Sequence, residues 1–201
     1  MLVTIRAAFT TPDPTLLDLS NKDIGDAGAA VVGAALGAMD APLPFETIWL
    51  HNNELTAAGM RSIAEGMGRG RLPNLRRVTW YKDTHVIDSN RALGDGEVAA
   101  LAEALADCAS LEGLSFVNCG VGGAGFEAVA AQVPRWPRLR WLDACGNPGP
   151  SDALGRALAA ALPSLPDAFT FHLERSGLGQ GAAAELRAAK AAAGSRVTLQ
   201  L

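Results

Sequence analysis

The amino-acid sequence predicts an α/β solenoid, about six strand-turn-helix units stacked side by side around one parallel sheet. A recurring short strand and a helical stripe after it carry that expectation. Leu17, Ile48, Val78, Leu114, Leu142, Phe171 and Val197 each open a segment in which apolar and polar residues alternate, with a second apolar residue two positions on at Leu19, Leu50, Trp80, Phe116, Ala144, Leu173 and Leu199. The steps between the first residues are 31, 30, 36, 28, 29 and 26. In the clearest copy, Ile48 to Met67, the strand pattern gives way to Met60, Ile63, Ala64 and Met67, spaced i, i+3, i+4, i+7 along one face of a helix. A single unit of this kind has no partner for its apolar face. It must stack on copies of itself.

With Phe45, Leu75, Leu111 and Leu139 three positions before the strand residue, the pattern reads LxxLxLxxNxL. It resembles the leucine-rich repeat, and a period near 28 to 29 with a full helix per unit is similar to the ribonuclease-inhibitor-like class, from roughly Leu16 to Leu201. The resemblance implies a right-handed horseshoe arc with a concave parallel sheet, and side chains at the Asn column that tie each turn to its neighbour. That column holds Lys22, Asn53, Asp83, Cys119, Asn147 and Ser176. Lys22 departs from it. Glycines three or four residues past the turn leucine (Gly28, Gly59, Gly96, Gly125, Gly181) are expected to let each helix start pack closely against the strand.

Element by element, residues 1–15 read as an N-terminal cap or arm, 16–193 as the repeats and 197–201 as a terminal edge strand, all in a single domain, because no linker interrupts the series. Met1 to Arg6 suits a covering strand, and Thr11 to Pro14 a turn. Leu17 to Ile24 is the first strand, Asp26 to Met39 its Ala-rich helix, and Pro42 with Pro44 stops it. Repeat two leaves through Arg69, Arg71, Arg76 and Arg77. Repeat three carries about eight inserted residues, Thr84 to Arg91, before the helix Gly96 to Asp107. Repeat four spans Leu111 to Val133 and ends in a second basic turn, Pro134 to Arg140. Pro148 and Pro150 are expected to reshape a later helix entrance.

Composition suits thin layers of small side chains, since 49% of residues are hydrophobic but only 5% aromatic. A net charge of -4 gives no general attraction to nucleic acid or anionic lipid. Cys108, Cys119 and Cys145 make an odd set with no CxxC or Cys/His metal spacing, which points to free thiols in a reducing, intracellular compartment, and no cofactor is implied. The first eleven residues are too short for a signal peptide, although they lack acids, as organelle-targeting segments do. No apolar run is long enough to span a membrane.

Residues between the buried leucines point to the opposite face of the sheet. On that basis the partner-binding set comprises Trp49, His51, Thr79, Tyr81, Lys82, Ser115, Val117, Asp143, His172, Glu174 and Arg175, together with His85, Asp88 and Arg91 of the insertion. Trp49, His51, Tyr81 and Lys82 form its aromatic, hydrogen-bonding centre, and Trp80 and Cys119 are expected in the core. Asp143, His172 and Cys145 resemble an orienter, base and nucleophile, but an open sheet supplies neither an oxyanion site nor shelter from water, so no catalytic residue is assigned.

These features predict a non-enzymatic protein-interaction module or a structural subunit of a multi-subunit complex. The resemblance also implies narrower roles: ribonuclease inhibition, small-GTPase regulation or immune-receptor sensing. The Arg-rich turns leave RNA or phosphate binding as the other chemistry. The edge strand Val197 to Leu201 offers strand pairing with another chain.

Overall fold

The computed structural model describes residues 12–81, 94–147, 149, 151–164, 169–193 and 197–201, with the backbone only at positions 57, 80, 81, 164 and 169. Residues 1–11 of the N-terminal arm, the Thr84 to Arg91 insertion, Lys82, Asp83, Pro148, Pro150 and the side chains of Trp80 and Tyr81 lie outside what is described.

Among the described residues, seven strands form one parallel sheet in sequence order: β1 (Leu16–Asp18), β2 (Thr47–Trp49), β3 (Arg77–Tyr81), β4 (Gly113–Val117), β5 (Trp141–Asp143), β6 (Phe169–His172) and β7 (Val197–Gln200). Helices connect them: α1 (Gly25–Ala38), α2 (Ala57–Met67), α3 (Asp95–Ala104), α4 (Gly123–Gln132), α5 (Asp152–Ala161) and α6 (Gln180–Ala193). This is the expected α/β solenoid of leucine-rich-repeat type. Leu17, Ile48, Val78, Leu114, Leu142 and Phe171 are register partners from strand to strand, and each is at most 1% exposed. They and the helix stripes make a continuous core from Leu17 to Val197.

The last strand corrects the sequence alignment. Phe171 pairs with Leu199, not Val197, so β7 slips by two residues and the last step becomes 28 instead of 26. A slip of two preserves which side chains face inward, and Leu173 N–H still donates to Gln200 O.

Buried amides hold the turns as the Asn column implies. Asn53 Nδ2 donates to Leu19 O (2.5 Å) and Leu50 O (3.1 Å), while its Oδ1 accepts from Lys22 N (3.1 Å). The non-consensus Lys22 therefore does no harm, because its own backbone N–H is held by the next repeat. Asn147, fully buried, repeats the arrangement with Phe116 O, Ala144 O, Cys119 N and Val121 N.

The glycine expectation needs correction. A Cβ on Gly59 would strike the first turn of the preceding helix at Asp26, one on Gly125 would strike Val121 and Asp95, neither would strike a strand, and Gly96 and Gly181 face open space. Those aspartates explain the closeness. Asp26 Oδ1 accepts from Thr56 N (2.8 Å) and Gly59 N (3.1 Å) at the start of α2; Asp95 accepts from Gly122 N before α4, and Asp152 from Gly179 N before α6. Each carboxylate fills orphan donors of the next helix and meets the positive end of its dipole. The solenoid is thus built in pairs: α1 with α2, α3 with α4, and α5 with α6 pack more extensively than the helices between pairs.

Two turns that read as basic loops are structural. Arg71 donates to Gly66 O (2.7 Å) and Met39 O (2.5 Å), capping the C-terminal ends of α2 and α1. Trp136 is completely buried, and its indole N–H donates to Leu105 O at 2.9 Å.

Candidate functional site

The register Asp18, Trp49, Thr79, Ser115, Asp143, His172, Gln200 lays the expected partner-facing residues in one row across the sheet. Their exposure differs. Trp49 is 36% exposed, the largest exposed hydrophobic side chain among the described residues. Thr79, Asp143 and His172 are half-buried, as are Val117 at the end of β4 and His51 and Glu174, each two residues past the end of its strand. Ser115 is only 3% exposed, because neighbouring strands on both sides shield the middle of a sheet. Arg175 is exposed but is not on the strand face: with φ 55° it occupies the left-handed exit turn, as do Asn21, Asn52, Asn118 and Gly146 in the same column. Lys82, His85, Asp88 and Arg91 lie outside the described residues, and for Tyr81 the backbone position in β3 is all that is described.

A groove of about 640 Å³ opens over the N-terminal half of this face, lined among others by Trp49, Thr79, Arg77, Trp141, Glu112 and Arg140. Trp141 is missing from the sequence-based set. It precedes the buried Leu142, in the row Leu16, Thr47, Arg77, Gly113, Trp141, Thr170. By strand alternation that row shares the face of Trp49, and considering only residues after each leucine misses it. At the groove edge charges alternate, since Arg76 reaches Glu112 at 2.8 Å and Glu46 at 3.9 Å, while a backbone hydrogen bond from Arg140 N to Glu112 O joins the neighbouring segments. The Arg76 hydrogen bond holds the Glu112 carboxyl below its ordinary range.

Two more arginines of these turns are matched by acids. Arg69 contacts Glu103 and Asp107, and Arg135 contacts Asp107, so the two turns do not form a bare cationic surface.

At the other end of the strands, Asp143, Cys145 and His172 do come together, each with a donor atom within 4.8 Å of the others. Cys145 Sγ donates to Glu174 Oε2 at 2.8 Å. Burial, then the hydrogen bonds and charges of Glu174 and Asp143, push this thiol upward, which disfavours the thiolate that a nucleophile needs. Cys108 and Cys119 are pushed up to about 12 by burial, and none of the three cysteines forms a disulfide.

No family model matches the chain. It is similar to a ribonuclease inhibitor. That protein, from Sus scrofa, is 33% identical over 155 residues, which make up 76% of this chain and 30% of the relative. The chain therefore spans less than a third of that relative's length. The likeness and the parallel sheet with its outer helices together support a leucine-rich-repeat class of fold. Among the described residues no helix is long and apolar enough to cross a membrane.

Proposed function

We propose that this chain is a non-enzymatic protein-binding module, a scaffold or a subunit of a larger assembly, that takes its partner on the concave sheet face. The observation that carries the reading is the groove flanked by Trp49 and Trp141 and edged by Arg77, Glu112 and Arg140. Interfaces enrich aromatic and arginine side chains because such groups bury large areas while keeping polar handles. The mixed charge of the edge favours a partner surface that carries both signs. The Thr84 to Arg91 insertion of repeat three would extend this surface at the other ends of the strands.

A second reading is that the partner is an enzyme, and the likeness to a ribonuclease inhibitor favours it. Arg77 and Arg140 in the groove fit a strongly basic ribonuclease poorly, so an enzyme of mixed or acidic surface suits it better. Small-GTPase regulation and RNA or phosphate binding rank lower, the latter because acids accompany Arg69, Arg76 and Arg135. The test is affinity capture with the intact chain and with a Trp49→Ala, Trp141→Ala double variant. A protein retained by the first and lost by the second supports the concave-face reading. Equal retention by both overturns it and moves the contact to the β7 edge, Val197 to Leu201.

A further inference from the structure

Asp143 on β5 and His172 on β6 are register partners, and Cys145 lies two residues past Asp143 in the turn that follows β5. A carboxylate oxygen, the sulfur and an imidazole nitrogen from these residues lie within 4.8 Å of one another. We propose that Asp143, Cys145 and His172 bind one divalent transition-metal ion of the zinc class. The proposal is independent of the protein-binding reading.

The donor set selects the ion. A sulfur and an imidazole nitrogen with one carboxylate suit a borderline-soft cation, and exclude calcium or magnesium, which require mostly oxygen ligands. Metal bonds of about 2.3 Å to sulfur and about 2.0 Å to nitrogen or oxygen place tetrahedral donors about 3.3 to 3.5 Å apart. Modest side-chain rotations reach that spacing from the present cluster, because neighbouring parallel strands already fix the backbone. A hydrogen bond orients Asp143 toward Cys145, since its Oδ1 accepts from Cys145 N at 3.1 Å. Glu174 Oε2, 2.8 Å from Sγ, is the natural acceptor for the thiol proton. On binding, the S–H bond breaks, the sulfur–metal bond forms, and the proton passes through Glu174 to solvent. Three protein ligands leave a fourth position for water or a partner's side chain.

Sequence spacing hides such a site. Cys145 and His172 belong to successive repeats, so their closeness depends on the β5 to β6 pairing rather than on a local motif.

The experiment titrates the intact chain with Co(II) and then Zn(II), following absorbance, beside Cys145→Ser, His172→Ala and Asp143→Asn variants whose melting curves in chelator establish that they fold. The expected result is one equivalent of Co(II), giving a sulfur-to-metal charge-transfer band and intense tetrahedral visible bands, both abolished by Zn(II). Cys145→Ser should lose the charge-transfer band, and His172→Ala and Asp143→Asn should each weaken Zn(II) binding about tenfold or more. Absence of the band in the wild-type chain, its persistence in Cys145→Ser, or unchanged Zn(II) affinity in both other variants overturns the proposal.

Discussion

The Trp141 indole occupies the space above Gly113: a Cβ on that glycine would stand 2.8 Å from Trp141 Cε3 and 3.5 Å from Arg77 Cγ. The bare backbone of β4 thus lets an aromatic ring from β5 lean across it into the groove. Gly113→Ala should displace the ring and cost on the order of 1 to 3 kcal/mol. In a double-mutant cycle with Trp141→Ala the two penalties should fall well short of additive, because the second substitution removes the clash. Denaturant unfolding and tryptophan emission measure both effects, and additive penalties would mean the ring is not held there.

The groove reading makes a separable prediction. Trp49→Ala and Trp141→Ala should each weaken partner binding by about 2 kcal/mol if the rings are anchors. Trp49→Ala should barely move the melting midpoint, since that ring is 36% exposed. Trp136→Ala should behave oppositely, losing about 3 to 5 kcal/mol of stability through the core cavity it leaves.

Asn147→Ala removes five hydrogen bonds at a fully buried turn, to Phe116 O, Ala144 O, Cys145 O, Cys119 N and Val121 N. A loss of about 3 kcal/mol or more is expected, since each stranded buried group costs about 1 to 3 kcal/mol before relaxation. Asn53→Ala should cost on the order of 1 to 3 kcal/mol. Urea midpoints at constant slope provide the measurement, and an unchanged midpoint for either variant would contradict the turn geometry.

Pairing of the helices predicts a local effect. Asp26→Ala removes acceptors for Thr56 N, Thr56 Oγ1 and Gly59 N, and should cost about 1 to 2 kcal/mol, the scale of an N-cap. Hydrogen exchange should quicken first in α1 and α2. Uniform quickening throughout the array would argue against paired construction.

Acid should destabilise the fold through His51 and Asp18. Burial lowers the His51 imidazole, partly opposed by Asp18. Burial raises the Asp18 carboxyl but is outweighed by hydrogen bonds from Ser20 N (2.9 Å) and Oγ (2.6 Å), leaving it lowered. Both folded values lie below the ordinary ones of 6.5 and 3.8. Their contributions are therefore present above those values and lost as pH falls through the folded ones. The urea midpoint should decline first below about pH 6.5 and again below about pH 4. The first decline should shrink in His51→Gln, and its persistence would assign it elsewhere.

Strand positions, helix faces and the Asn column were legible in the sequence, because alternation and the 3.6-residue stripe are local and repeated six times, so each copy checks the others. The row containing Trp49, Asp143 and His172 followed from that alternation. What the sequence left open depends on contacts between repeats. The β7 register was ambiguous by two residues because Val197 and Leu199 are equally apolar and have the same parity, and only pairing with Phe171 chooses between them. Trp136 looked like part of a basic turn until its N–H found Leu105 O, and Arg71 until it capped two helices. Trp141 enters the groove because Gly113 lies beside it, whereas the meeting of Asp143, Cys145 and His172 already followed from aligning the repeats. Short-range chemistry set the repeat; long-range packing decided which of its side chains stand together.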